Sequence, residues 1–536
     1  MKTLIPLLLT LLLCGCASSP VESDEQIQWA DYSAMAIIEK LNAGEVTSVK
    51  LVNYYLERIN KYDQAGPKIN SILALNPNAL ADASRLDAER IAGSLRGPLH
   101  GVPVLLKDNI ETEELPTTAG SLALRNNNTQ RDAPIVSKLR NAGAIILGKT
   151  NLSEWANFRS EDSVSGWSGI AGLTLNPHDV SRSACGSSSG SGAAIAMRLA
   201  PLAVGTETNG SVICPASMNG IVGFKPTVGL LSRTNIVPIS PTQDTAGPMT
   251  NSVADAALMI NVMAGTDASD TATQEADSHI PALSQIMQNR LDGVRIGVMR
   301  NAQGERKLII DLFDAALAEL VELGAELVEI TEMDSTDGFG EASYNVLLSE
   351  FHFAIDEYLA AAAPQVKHRD LESLIEFNNN SARELAIFDQ AIFEKSLAAA
   401  GLNSDEYRSN LALVRTATRE KGIDQILEQH NVSILVAPSY NPAFKIDTVY
   451  GDHGPWGWLG IGWMAAIAGY PHVTVPMGTA KHLPVGISFI SSQWQDSAVL
   501  QAGYAYEQKT HLLTKPKLLT DPNWQQRPKA LLPITD

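Results

Sequence analysis

Short apolar runs recur along this chain between stretches of helical period, and this alternation constrains the fold more than any other feature. VPVLL (102–106), LAVG (202–205), VRIGVM (294–299), ILVAPS (434–439), HVTVPM (472–477) and GISFIS (486–491) are too short for helices and carry almost no polar residues. Such runs read as strands, with VPVLL a buried one. KINSILALN (68–76) reads as a further strand. Between them lie amphipathic helices: residues 31–45, residues 48–62 behind a Thr47 cap, and 77–93 with Pro77 in the first turn. Residues 132–150 read as helix, glycine stop and strand, and residues 251–265 as a helix capped by Asn251 or Ser252. A last helix starts near Ser497. Strands alternating with helices predict an α/β fold. Residues 331–430 carry few strand signals and predict a helical insert over one edge of the sheet.

The N-terminus reads as a targeting segment. Lys2 is followed by an apolar run, Leu4 to Leu13, too short to span a bilayer but long enough for a signal h-region. Leu13-Cys14-Gly15-Cys16 resembles a bacterial lipobox, which implies cleavage before Cys16 and lipid on its sulfur. Several acyl chains make a stable membrane anchor. A plain secretory signal is the alternative reading. We therefore expect a signal peptide over 1–15, a tether over 16–29, one catalytic domain over 30–515 and a tail over 516–536. The net charge is −19 and no basic run follows Lys2, so nucleic acid is not an expected partner. After cleavage and lipidation of Cys16, only Cys185 and Cys214 remain free. Export permits a disulfide, yet two cysteines are no framework, and we expect two small buried hydrophobes. Nothing in the sequence specifies an oligomeric state.

Two motifs point elsewhere. GAIILGKT (143–150) matches the phosphate-loop pattern letter for letter, but its four middle residues are themselves strand-forming and leave no backbone cradle. GSSSG (186–190) matches the nucleophile elbow, with Ser188 at its centre. An elbow needs a strand running straight into it, and the preceding NPHDVSRSAC is polar. That reading would make a Ser188–histidine esterase, with His453, His472 or His482 as base. No histidine or cysteine pair has metal-ligand spacing.

Three longer segments agree with one another: GPLHGVPVLLKDNI (97–110), CGSSSGSGAAIAM (185–197) and VGTETNGSVICPASMNGIVGFKPT (204–227). Together they resemble the amidase signature family. The resemblance extends to LGKTNLSEWANFR (147–159), QDTAGPMTNSVADA (243–256), AGYPHVTVPMG (468–478) and LPVGISFI (483–490), and so covers most of the mature chain. LGKTNLSEWANFR and GTETNGSVICPA look most like the peptide amidase branch, whose members remove the C-terminal amide of peptides.

The resemblance implies a large mixed β-sheet flanked by helices, a single catalytic domain, no cofactor or metal, and hydrolysis of carboxamides with release of ammonia. It places the nucleophile at Ser211, a bridging serine at Ser187 behind a cis peptide bond, and the base at Lys107. Backbone N–H groups of Thr208, Asn209, Gly210 and Ser211 fall at the oxyanion hole. The chemistry is coherent without the family. A serine attacks amides poorly until a base takes its proton. Lysine is a base only when neutral, and burial lowers its pKa. The chain departs from the commoner family pattern at Glu207 (usually Asp), Asn209 (usually Gly) and Cys214 (usually Arg), which leaves no acid–arginine brace for the nucleophile loop. A non-catalytic envelope protein with this fold is a further alternative. WGWLGIGWM (456–464) reads as pocket lining or ordinary core.

Overall fold

The computed structural model describes residues 28–452 and 459–520. The expected signal peptide, the tether up to residue 27 with Cys16, His453 and the tail from residue 521 lie outside the described residues. In chain order the strands are β1 (Ile72–Leu75), β2 (Pro103–Lys107), β3 (Ile145–Thr150), β4 (Trp167–Ser168), β5 (Gly172–Leu173), β6 (Leu202–Glu207), β7 (Val222–Lys225), β8 (Thr245–Thr250), β9 (Arg295–Met299), β10 (Glu326–Ile330), β11 (Ile434–Pro438), β12 (His472–Ala480) and β13 (Leu483–Ile490). β4 and β5 pair only with each other. The other eleven form one mixed sheet, ordered β1-β3-β2-β6-β8-β7-β12-β13-β11-β9-β10 and flanked by helices.

The short apolar runs do form strands, and β2, β6, β11 and β13 are buried at every position. β2 lies parallel to both β3 and β6, with Leu106 opposite Lys149 on one side and Val204 on the other. The carboxyl ends of β2 and β6 therefore open side by side, where α/β sheets place their ligands. The helical caps follow local chemistry. Thr47 Oγ1 accepts from Lys50 N, and Ser252, not Asn251, caps its helix by accepting from Asp255 N. The 77–93 helix starts at Ala79, so Pro77 sits just ahead of the first turn.

The segment 331–430 is largely helical, with Phe339–Ala360 its longest element. It does not simply cover a sheet edge. Leu348, Phe351, Ile355 and Phe393 pack with Ala119, Trp155, Phe158, Val237 and Ile239. Those partners lie in loops beyond β2, β3 and β7, so the insert roofs the end of the sheet where the motifs meet.

Candidate active site

Lys107 is the last residue of β2 and is fully buried. Its Nζ lies 2.7 Å from Ser187 Oγ, 2.8 Å from Thr206 Oγ1 and 3.3 Å from the Thr206 carbonyl oxygen. Burial pushes its amine down to about 7, while the negative charges of Asp244 and Glu207 pull it back up. Asn109 Nδ2 also donates to Thr206 Oγ1, at 2.9 Å. Thr206 thus gives the lysine two acceptors from one residue of the neighbouring strand.

Ser187 follows a cis Gly186–Ser187 peptide bond and is fully buried. Gly186 tolerates no side chain: a Cβ there would lie 2.2 Å from Ser153 Oγ and 2.8 Å from Ser165 Oγ. The next residues enter the helix Ser189–Ala196, buried at every position and built from small residues that let it sit inside the core. Ser188 is spoken for. Its Oγ donates to the Thr206 carbonyl at 3.0 Å and accepts from Thr206 N at 3.2 Å.

Ser211 lies in the loop between β6 and the helix Ile213–Asn219. It is 8% exposed and lines a cleft of about 570 Å³, with Gly186, Thr208, Asn209 and Gly210. Ser188 N donates to the Ser211 carbonyl at 3.2 Å, which ties this loop to the Ser187 loop. Gly210 has φ +83°, and a Cβ there would lie 2.2 Å from the Tyr440 hydroxyl. Among the described residues, the N–H groups of Asn209, Gly210 and Ser211 are paired with no protein acceptor. Glu207 Oε2 accepts from the backbone N of Val212 at 2.8 Å and Ile213 at 3.0 Å, so the acid braces the turn into the helix through backbone N–H groups. Asp244, half-buried and pushed up to about 6 by desolvation, accepts from Thr208 Oγ1 and from the backbone N of Ile239 and Ser240.

One expectation is corrected. Cys185 and Cys214 are not separate buried thiols but a disulfide, with Cα atoms 5.9 Å apart. Twenty-nine residues separate them in sequence, yet the fold brings the Ser187 loop and the Ser211 loop to the same wall of the cleft, within ordinary bridging distance.

Among the described residues the competing motifs assemble no site. Lys149 is strand residue, not phosphate loop: its Nζ is fully buried and donates to the Ile110 carbonyl at 2.6 Å, to Thr117 Oγ1 at 3.0 Å and to Asp108 at 3.2 Å. His472 Nε2 pairs with Ser488 Oγ at 2.6 Å, and His482 lies 3.4 Å from Asp179. Neither is bonded to Ser188. Of WGWLGIGWM, Leu459 and Ile461 are buried and Gly462 opens a helix, while the residues before 459 lie outside the described ones. Thr206, Asn109, Asp244 and Tyr440 were not singled out from sequence. The clue for Thr206 was its place near the end of β6, inside the very motif that carries Ser211.

Fold and motifs together define a hydrolase of amide C–N bonds. A family model described as Amidase matches residues 50–500, and the chain belongs to that family. It is 42% identical to the peptide amidase of Stenotrophomonas maltophilia, with a TM-score of 0.85 over 91% of this chain and 99% of that one. An amidase family protein of Bacillus anthracis superposes with a TM-score of 0.81 at 30% identity, covering 91% of this chain and 92% of that one. An Arthroderma benhamiae relative, named as an amidase, is 36% identical over 513 residues, or 89% of this chain and 82% of the relative.

Proposed function

We propose that the chain hydrolyses the C-terminal carboxamide of peptides, or small amides of the same shape, through a Ser211–Ser187–Lys107 relay and an acyl-enzyme. The observation that carries this reading is the surrounding of Lys107 Nζ, which fits a neutral amine. Such an amine has two N–H donors and one lone pair. The two Thr206 oxygens take the donors, and the lone pair remains for the Ser187 hydroxyl at 2.7 Å.

Ser211 attacks the carbonyl carbon while its proton passes to Ser187 and the Ser187 proton passes to Lys107. The oxyanion meets the N–H groups of the Thr208–Ser211 loop, each such donor contributing about 3–4 kcal/mol when preorganised. The proton then returns through Ser187 to the departing nitrogen, and ammonia leaves. Water repeats the cycle on the acyl-enzyme and frees the acid. Likeness to the peptide amidase supports the peptide end of the substrate range. The alternative Ser188 esterase has no supporting contact, since that hydroxyl is bonded to Thr206.

The test is ammonia release from a panel of peptide amides, amino-acid amides and acyl amides. Lys107→Ala is expected to cost about 10²–10⁴-fold in kcat, and Ser211→Ala to abolish turnover with the fold intact by circular dichroism. Full activity in Ser211→Ala ends the proposal. We also propose export and a lipid anchor on Cys16, motivated by the Leu13–Cys16 sequence. Cys16→Ala is then expected to move the protein from the membrane pellet to the soluble fraction, and an unchanged distribution refutes the anchor.

A further inference from the structure

The two serines of the relay sit on loops far apart in sequence, and the structure shows what joins them. Besides the disulfide, the ties include the Ser188 N–Ser211 carbonyl bond at 3.2 Å, the Ser188 Oγ bonds to Thr206 and the Asn219 Nδ2–Ala184 carbonyl bond at 2.8 Å. The disulfide is the covalent one, and it stands two residues before Ser187 and three after Ser211. Cys185 has φ +56°, in the left-handed region that side chains other than glycine rarely adopt. Such a conformation persists where its surroundings over-determine it. Here the bridge to Cys214 does so, together with Cys185 N donating to Ser183 Oγ and the Ser189 hydroxyl donating to the Cys185 carbonyl. The cystine belongs to a small apolar cluster with Ile213, Met218, Tyr440 and Phe444, on the cleft wall and separate from the main core.

We propose that the Cys185–Cys214 disulfide is a positioning element of the reaction. It holds the Ser187 loop against the Ser211 loop so that the proton has a hydroxyl to pass to, and opening it lowers turnover while the main core stays folded. The inference rests on the relay proposed above. A dithiol opens the bridge by exchange: one thiolate attacks a cystine sulfur, and the second thiol completes a cyclic disulfide on the reductant. Two electrons and two protons end on Cys185 and Cys214 as free thiols.

The experiment uses the full chain, oxidised and after dithiothreitol treatment, with thiols counted in denaturant after acid quench. Two readouts are followed: ammonia release from a peptide amide, and the rate at which a fluorophosphonate labels Ser211. The expected result for the reduced protein is native circular dichroism, KM within about twofold, and kcat and labelling rate both down by about tenfold or more, since small misplacements of reacting groups carry such penalties. Reoxidation restores both. A Cys185→Ala/Cys214→Ala variant, which leaves no stray thiol, is expected to match the reduced protein. Unchanged kcat and labelling with both thiols free overturn the proposal. So does a loss that tracks unfolding in the dichroism spectrum, which makes the bridge structural only. An oxidised protein that neither releases ammonia nor labels at Ser211 overturns the relay itself, and this inference with it.

Discussion

Two lysines on adjacent strands, Lys107 and Lys149, show what burial does and what decides its use. Both are fully buried, and burial lowers the pKa of each. Lys149 has a carboxylate at 3.2 Å and two further oxygen acceptors, an arrangement that suits a charged ammonium held in place. Lys107 has only hydroxyls and a carbonyl within reach, with its acids at longer range. The proton-taking form of Lys107 is the free amine, which grows as pH rises. With its pKa lowered to about 7, kcat/KM is expected to climb as pH rises through about 7 and then level off. Asp244 raises that pKa, so Asp244→Asn should move the rise to lower pH. The asparagine still has an oxygen to accept from Ile239 N and Ser240 N. A pH–rate series on both proteins checks this. A rise that stays put or moves upward excludes Lys107 as the titrating base.

Among the elements, the loop Thr208–Val212 carries the greatest demand on its sequence. Gly210 is needed twice, for its positive φ and for the space taken by Tyr440. Gly210→Ala is expected to cost about 1–3 kcal/mol of stability, from backbone strain and overlap together. Tyr440→Phe removes the oxygen that the new Cβ meets, so Gly210→Ala should lower the melting temperature less in a Tyr440→Phe background than in the parent. An equal loss in both backgrounds would show that overlap plays no part. Legibility of elements followed the same logic of local against distant causes. Strands β2, β6 and β13 were readable because burial on both faces writes an apolar run. β8, TAGPMT, was not: Gly247 and Pro248 break the pattern, and the Gly247 position is tight because a Cβ there would meet the Phe224 carbonyl of a neighbouring strand at 2.2 Å. β10 was missed because it is an edge strand, half exposed and carrying Glu326 and Glu329. Lys107, Ser187 and Ser211 were named through long motifs, whereas Thr206 and the cystine depend on which strands and loops become neighbours. Pairing of that kind is a property of topology, and one chain read alone does not print it.

Across the whole molecule, one end of the sheet and the loops that leave it carry the proposed relay, and the helical insert adds two residues to the wall of the cleft beside it. The cleft around Ser211 is lined by Phe158, Ile239 and Met218 from the sheet side and by Leu347 and Ile392 from the insert. Ile392 is buried, and its backbone N donates to the Arg159 carbonyl, so it stands on a fixed support. Those two insert residues have apolar side chains that take no part in the hydrogen-bonded relay, and they suit what extends beyond the scissile amide. A peptide amide with a large side chain next to the amide is expected to reach them, and acetamide is not. Truncating one such contact removes apolar burial, and a pocket change of one methylene is worth about 1–3 kcal/mol in discrimination. Ile392→Ala is therefore expected to lower kcat/KM for a phenylalanine-amide peptide by about tenfold or more, and to leave acetamide hydrolysis within about twofold of the parent. Steady-state kinetics on the two substrates decide it. An equal loss on both would mean that Ile392 supports the relay and not the substrate, and would move the boundary between machinery and wall from the sheet into the insert.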